Sequence, residues 1–262
     1  MSGSRALILE NLRRAVAVRQ EEAGREPEKN IKINQYASAG FGGAPDSGPA
    51  EPAEPLPTWT QPAAEALIPA LEASGAVARV SRSPEDLARD LAWVVREYGV
   101  KSVAAWRHPL LEWFGAAEIL DGLGVEVWQA DLADQAADSR GHQETASAIP
   151  GRGVCRQAEG MDLGLCAAEA VLAATGTVVL APGPGRPRST ALLPPVFLVL
   201  ADPAMVMSDL RAFLPLAEAW RTESAPSGIF CVTGPSATGD IEFVLVRGAH
   251  GPPTVIVLLV DF

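Results

Sequence analysis

The chain predicts an α/β fold: a mainly parallel sheet flanked by helices, with an N-terminal helix on a flexible linker. Three observations carry this. Short apolar runs at 178–180, 196–200 and 255–260 lack the polar alternation of a solvated strand, as strands buried on both faces do. Between such runs lie stretches that open with proline and acids and close with glycine, so strand and helix alternate. The 262 residues, 48% hydrophobic and 20% charged, are enough to bury a sizeable core.

Residues 4–22 read as an amphipathic helix, with Ile8, Leu12 and Val16 four residues apart and Gly24 as a stop. Residues 40–57 contain 4 Gly and 5 Pro in 18 residues, a composition that holds no regular element and reads as a linker. The chain therefore divides into 1–58, helix and linker, and 59–262, an α/β domain. Within the domain Pro62 opens a helix that Gly75 ends, and a strand follows at 76–80. Ser83-Pro84-Glu85-Asp86 opens the next helix with a capping serine, a first-turn proline and acids at the positive end, and Gly99 closes it. Then come a strand at 101–105, a helix at 109–120, a turn at 121–124 and a strand at 125–129. The polar stretch 138–152 is a loop, either a plain surface loop or a cover over a pocket. A strand at 163–166, a short helical segment at 167–174 and a strand at 178–180 follow. Next are a loop at 181–190, a strand at 196–200, and a helix from Asp202-Pro203 to about 220 with Pro215 inside it. The chain closes with a strand at 229–232, a turn at 234–236, a helix at 238–247 and a strand at 255–260.

The formal charge of −11 and pI near 4.8 exclude phosphate-rich nucleic acid and anionic membrane surfaces as natural partners. Residues 1–58 carry 7 basic and 8 acidic residues of the chain's 21 and 32, so the excess acid lies in the later part. Cys155, Cys166 and Cys231 form no CxxC pair and no even disulfide set, which fits a reducing, cytoplasmic setting. Cys166 and Cys231 stand in apolar runs and read as buried, inert thiols. His108, His142 and His250 are scattered without a metal-binding spacing, so no metal site is expected. Charges from Arg5 and Glu10 onward make the start neither a signal peptide nor a transmembrane segment.

Chemistry concentrates in two places. The turn leading into the predicted helix at 238–247 offers Ser236, Thr238 and Gly239 at a positive dipole end, a place for an anion. Ser236, Asp240 and His250 also invite a hydrolase reading, but without a GxSxG elbow Ser236 reads better as a helix cap. Asp240 is either a catalytic acid or a first-turn acid; His250 is either a general base or a helix-end cation. The loop 181–190 places Arg186 and Arg188 among glycines and prolines, which suits either an anion clamp or a solvated loop. The dinucleotide fingerprint GxGxxG is missing.

GPSATGDIEFVLVRGAHGP at 234–252 resembles the GPSxTADIExxLxxGxHGP signature of the lactate-utilisation protein C family, the LutC/YkgG or LUD-domain proteins. AEAVLAATGTVVL at 168–180 is similar to that family's strand-and-turn block. The resemblance implies the NagB/RpiA/CoA transferase-like fold. It also implies a pocket of Thr175, Gly176 and Thr177 with Gly234, Ser236, Thr238, Asp240 and His250. It implies a subunit that oxidises lactate to pyruvate together with iron–sulfur partner proteins, binding a small carboxylate or organising the complex, with no cofactor of its own. A homo-oligomer is a further candidate assembly. The alternatives are a stand-alone enzyme on sugar phosphates or acyl-CoA, and a non-catalytic scaffold. Two departures bear on catalysis: Ala174 stands where the family commonly has Glu, and Ala237 where it commonly has Arg or Lys.

Overall fold

Helix α1 (Gln61–Ala73) leads into β1 (Val77–Ser81), and α2 (Pro84–Tyr98) leads into β2 (Ser102–Ala105). Two short helices, α3 (Pro109–Trp113) and α4 (Ala116–Gly122), precede β3 (Glu126–Gln129); α5 (Arg152–Glu159) precedes β4 (Leu163–Ala167). Then follow β5 (Ala170–Leu172), β6 (Thr177–Leu180), α6 (Ser189–Leu192) and β7 (Val196–Ala201). A 3-10 turn at Pro203–Met205 joins β8 (Val206–Met207), and α7 (Leu210–Glu223) leads to β9 (Phe230–Thr233), β10 (Ala237–Gly239), β11 (Leu245–Arg247) and β12 (Thr254–Val260). This computed structural model describes residues 61–129, 152–223, 226–239, 245–248 and 250–262. The predicted N-terminal helix, the linker and all of the 138–152 loop except Arg152 lie outside the described residues.

The principal sheet has six strands in the order β1-β12-β7-β4-β2-β3, all pairs parallel. Its inner strands β12, β7 and β4 are the apolar runs of the sequence, and β4 and β7 are buried along their whole length, which is why neither alternates. Helix α2 shows how local chemistry fixes an element. The Ser83 hydroxyl accepts the Asp86 N–H at 3.1 Å, Gly99 at φ 63° donates its N–H to Val95, and Leu87, Leu91 and Val94 form the buried stripe. A second sheet, β8-β5-β6-β9, has β5 parallel to β8 and the other pairs antiparallel. The mainly parallel sheet flanked by helices is thus present, with a smaller mixed sheet beside it.

Four expectations are corrected. The helix expected at 238–247 is a ribbon, β10 antiparallel to β11 with Ala237 opposite Arg247. Thr, Gly and Val, weak helix formers, gain more from pairing there. The segment expected to be helical at 167–174 contains β5, because its alanines are buried between β6 and β8 and pairing overrides helix propensity. The helix expected at 109–120 is broken in two by Gly115, at φ 61°. The helix expected from Asp202 starts only at Leu210. Asp202 caps the 3-10 turn instead, and Asp209 accepts the N–H groups of Arg211 and Ala212 at 2.8 and 3.0 Å.

Candidate functional site at the carboxyl ends of the parallel strands

In the principal sheet the chain runs outward from β2 to β3, and from β4 to β7 in the opposite direction. The carboxyl ends of β2 and β4 therefore flank a topological switch point, the place where an open α/β sheet receives ligands. Three polar side chains meet there: His108, just after β2; Glu169, just after β4; and Arg186, from the loop after β6. His108 is 1% exposed and Arg186 8%.

Each is placed by local structure. His108 is extended before Pro109, and its Nδ1 accepts the Leu110 N–H at 3.1 Å. A neutral imidazole so bonded carries its proton on Nε2. Glu169 lies on the seam between the sheets. Ala168 still donates its N–H to Leu200 in β7, whereas Glu169 donates its own to Val179 in β6. Arg186 closes the tight turn Gly183-Pro184-Gly185-Arg186, whose end residues exchange N–H to carbonyl bonds at 2.9 and 3.1 Å. Gly185 takes φ 70°, which fits a type II turn with proline and glycine at its centre. The loop is tied to the sheet by Arg107 N–H to the Gly185 carbonyl and Trp106 Nε1–H to the Pro187 carbonyl, both at 2.9 Å.

The Arg186 guanidinium donates to Glu169 Oε1 at 2.6 Å, and His108 Nε2 stands 3.4 Å from the same oxygen. The latter distance is too long for a good hydrogen bond, so among the described residues this buried nitrogen has no proper partner. The Ser189 and Thr190 hydroxyls, in α6 just after this loop, are likewise buried without one among the described residues. Burial alone pushes the Glu169 carboxyl up; His108 and the Arg186 charge outweigh it and hold the carboxyl below its ordinary range. The cluster is thus an anionic oxygen held between two donors.

The other residues singled out in the sequence fall into a second group. Thr175, Gly176 and Thr177 form the bend of the β5–β6 hairpin, at the opposite end of β6 from the Arg186 loop. Thr177 pairs with Thr233, so this bend and Gly234 are neighbours. The hydroxyls of Thr175, Thr177 and Thr233 form a chain with spacings of 2.6 and 2.8 Å. The bend and the turn press on the end of α1: a Cβ on Gly176 would lie 2.5 Å from the Ala70 carbonyl oxygen, and one on Gly234 2.0 Å from that of Ser74. The carbonyl end of a helix carries partial negative charge, which does not favour an anion.

Ser236 and Thr238 sit at the base and on the first strand of the ribbon, so the helix dipole expected there is absent. Ser236 N–H donates to Pro252, its carbonyl accepts from Gly248, and its hydroxyl accepts the His250 N–H at 3.3 Å. His250 is exposed, and Asp240 lies outside the described residues. Arg188 is exposed with its guanidinium 6.0 Å from the Phe230 ring, apart from the tight Arg186–Glu169 contact.

Sequence reasoning missed His108 and Glu169, although a signal existed. Glu169 is the one charged residue between Leu163 and Gly185, and an acid inside so long an apolar stretch calls for a buried partner.

Fold and cluster together define an α/β protein with a buried polar cluster at the carboxyl ends of its parallel strands. Residues 64–260 match the LUD domain, and the chain belongs to the LUD-domain family. It is 33% identical over 171 residues to lactate utilization protein C of Halalkalibacterium halodurans, covering 64% of this chain and 66% of that one. It is 30% identical over 165 residues to the protein of the same name from Shouchella clausii, covering 63% and 64%. The matched segment thus spans slightly less than two thirds of those relatives. The crystal structure of a DUF162 family protein from Deinococcus radiodurans aligns with a TM-score of 0.49 at 14% identity, over 76% of this chain and 96% of that one.

Proposed function

We propose that this chain takes part in lactate utilisation. In this reading it binds a small monocarboxylate of the lactate–pyruvate couple at the polar cluster between the ends of β2 and β4. Iron–sulfur partner proteins carry the electrons. One observation supports a carboxylate ligand above others: a buried guanidinium, Arg186, is fixed at the switch point and already holds a carboxylate oxygen at 2.6 Å. Arginine is the side chain best shaped to bind planar carboxylates. The lactate role rests on the name the two relatives carry, and the partners rest on the family resemblance. Oxidising lactate removes a hydride equivalent and a proton. In this reading the electrons pass to the partners.

A scaffold role is the competing reading, and one observation favours it: two described residues of the 234–252 motif serve architecture, Ser236 knitting the ribbon base and Gly234 packing on α1. Thermal shift separates the two. A ligand at a hundredfold its dissociation constant stabilises by about 2.7 kcal/mol, each kcal/mol being worth about 2–4 °C in a chain of this size. Lactate or pyruvate should raise Tm in the wild type and less in Arg186→Lys, which keeps the charge but loses the planar fork. Ser236→Ala should keep the ligand-induced shift. A rise no larger than sodium chloride gives at equal ionic strength rules out the carboxylate site. Co-purification of iron–sulfur proteins would then leave the scaffold role.

A further inference from the structure

We infer that Glu169 is a resident stand-in for the ligand, displaced from Arg186 and His108 when a carboxylate binds. The inference rests on the carboxylate reading above. Both groups facing Glu169 Oε1 are donors: a guanidinium has no acceptor, and the Leu110 N–H occupies His108 Nδ1, leaving Nε2–H to point at the oxygen. The space between them therefore demands an acceptor oxygen, whatever molecule supplies it.

The donors are fixed by the fold, His108 by its cap on α3 and Arg186 by its glycine turn. The acceptor hangs on a flexible side chain that still reaches solvent, at 11% exposure. One oxygen also serves both donors poorly, 2.6 Å from Arg186 and 3.4 Å from His108 Nε2. An incoming carboxylate has two oxygens and can satisfy each donor separately, removing the cost of a buried N–H left unpaired. Charge decides for exchange over addition. A second carboxylate beside Glu169 would add a second buried negative charge next to the first, whereas swapping one for another leaves the local charge unchanged.

A site held by its own side chain binds with apparent affinity reduced by the fraction of molecules in which the donors are released. Glu169→Gln removes the competing charge and keeps the size, so it should bind L-lactate and formate at least about tenfold tighter than wild type. His108→Asn keeps an oxygen for the Leu110 N–H but loses the Nε2–H donor, so it should bind both more weakly. A purely structural pair predicts no such opposite shifts. Titration calorimetry on the full chain reads both. Should Glu169→Gln fail to fold, Glu169→Asp withdraws the carboxylate by one methylene and should also tighten binding. If wild type binds lactate and the folded Glu169 variant binds it no tighter, displacement is wrong and the carboxylate reading stands. If neither wild type nor that variant binds lactate, pyruvate or formate, both fall.

Discussion

Breaking the Arg186–Glu169 pair has unequal costs from its two ends. Arg186→Gln leaves a buried carboxylate without its cation, and losing one partner of a buried pair costs about 3–5 kcal/mol. Glu169→Gln should cost less, because an amide oxygen can still accept from the guanidinium. Urea unfolding of the two variants checks the order; equal losses would mean that water screens the pair. Thiols test burial at the same scale. Cys166 is buried as its apolar run suggests, and burial pushes its thiol well up, so it should resist labelling until the chain unfolds. Cys231, expected to be buried on the same argument, is exposed, because β9 is an edge strand of the second sheet that turns alternate residues outward. A thiol reagent should modify Cys155 and Cys231 in the native protein and spare Cys166.

Elements fixed by their own ends were readable. The serine cap, proline, acids and αL glycine of α2 are all neighbours in sequence, and Ser83→Ala should cost about 1 kcal/mol of stability. Elements fixed by distant pairing were not. β5 exists only because β6 and β8 flank it, and β10 only because β11 returns beside it, so alanine content in one and a mixed polar pattern in the other pointed to helix. The Thr-Gly-Thr bend and the Gly-Pro-Ser turn were legible as turns, but their business with α1 was not. Gly234→Ala tests that contact. At φ 68° a Cβ is strained and would meet the Ser74 carbonyl oxygen at 2.0 Å, so backbone must move and the loss should exceed about 1 kcal/mol. A neutral outcome by urea unfolding would show the turn to be free of α1.

At the scale of the molecule the cluster is a product of topology. His108 and Glu169 are far apart in sequence, and only the parallel pairing of β2 with β4, whose onward connections leave in opposite directions along the sheet, makes them neighbours. Arg186 was visible as a basic spot in a glycine-rich loop, while its partner was hidden in an alanine run that read as helix. The same seam links the two sheets to pH. Glu169 has a folded pKa below its ordinary value of 4.5, because His108 and Arg186 outweigh burial. A depressed carboxylate contributes stability fully above the unfolded value and loses it as pH falls through the folded one. Protonation then removes the carboxylate charge facing Arg186 and weakens one of the ties between the 181–190 loop and the chain that joins the sheets. Wild type should therefore lose stability steadily as pH drops below 4.5, and Glu169→Gln, which has no proton to take up there, should lose less over the same interval. Parallel profiles of unfolding free energy against pH for the two proteins would mean that the cluster is not part of what holds the sheets together.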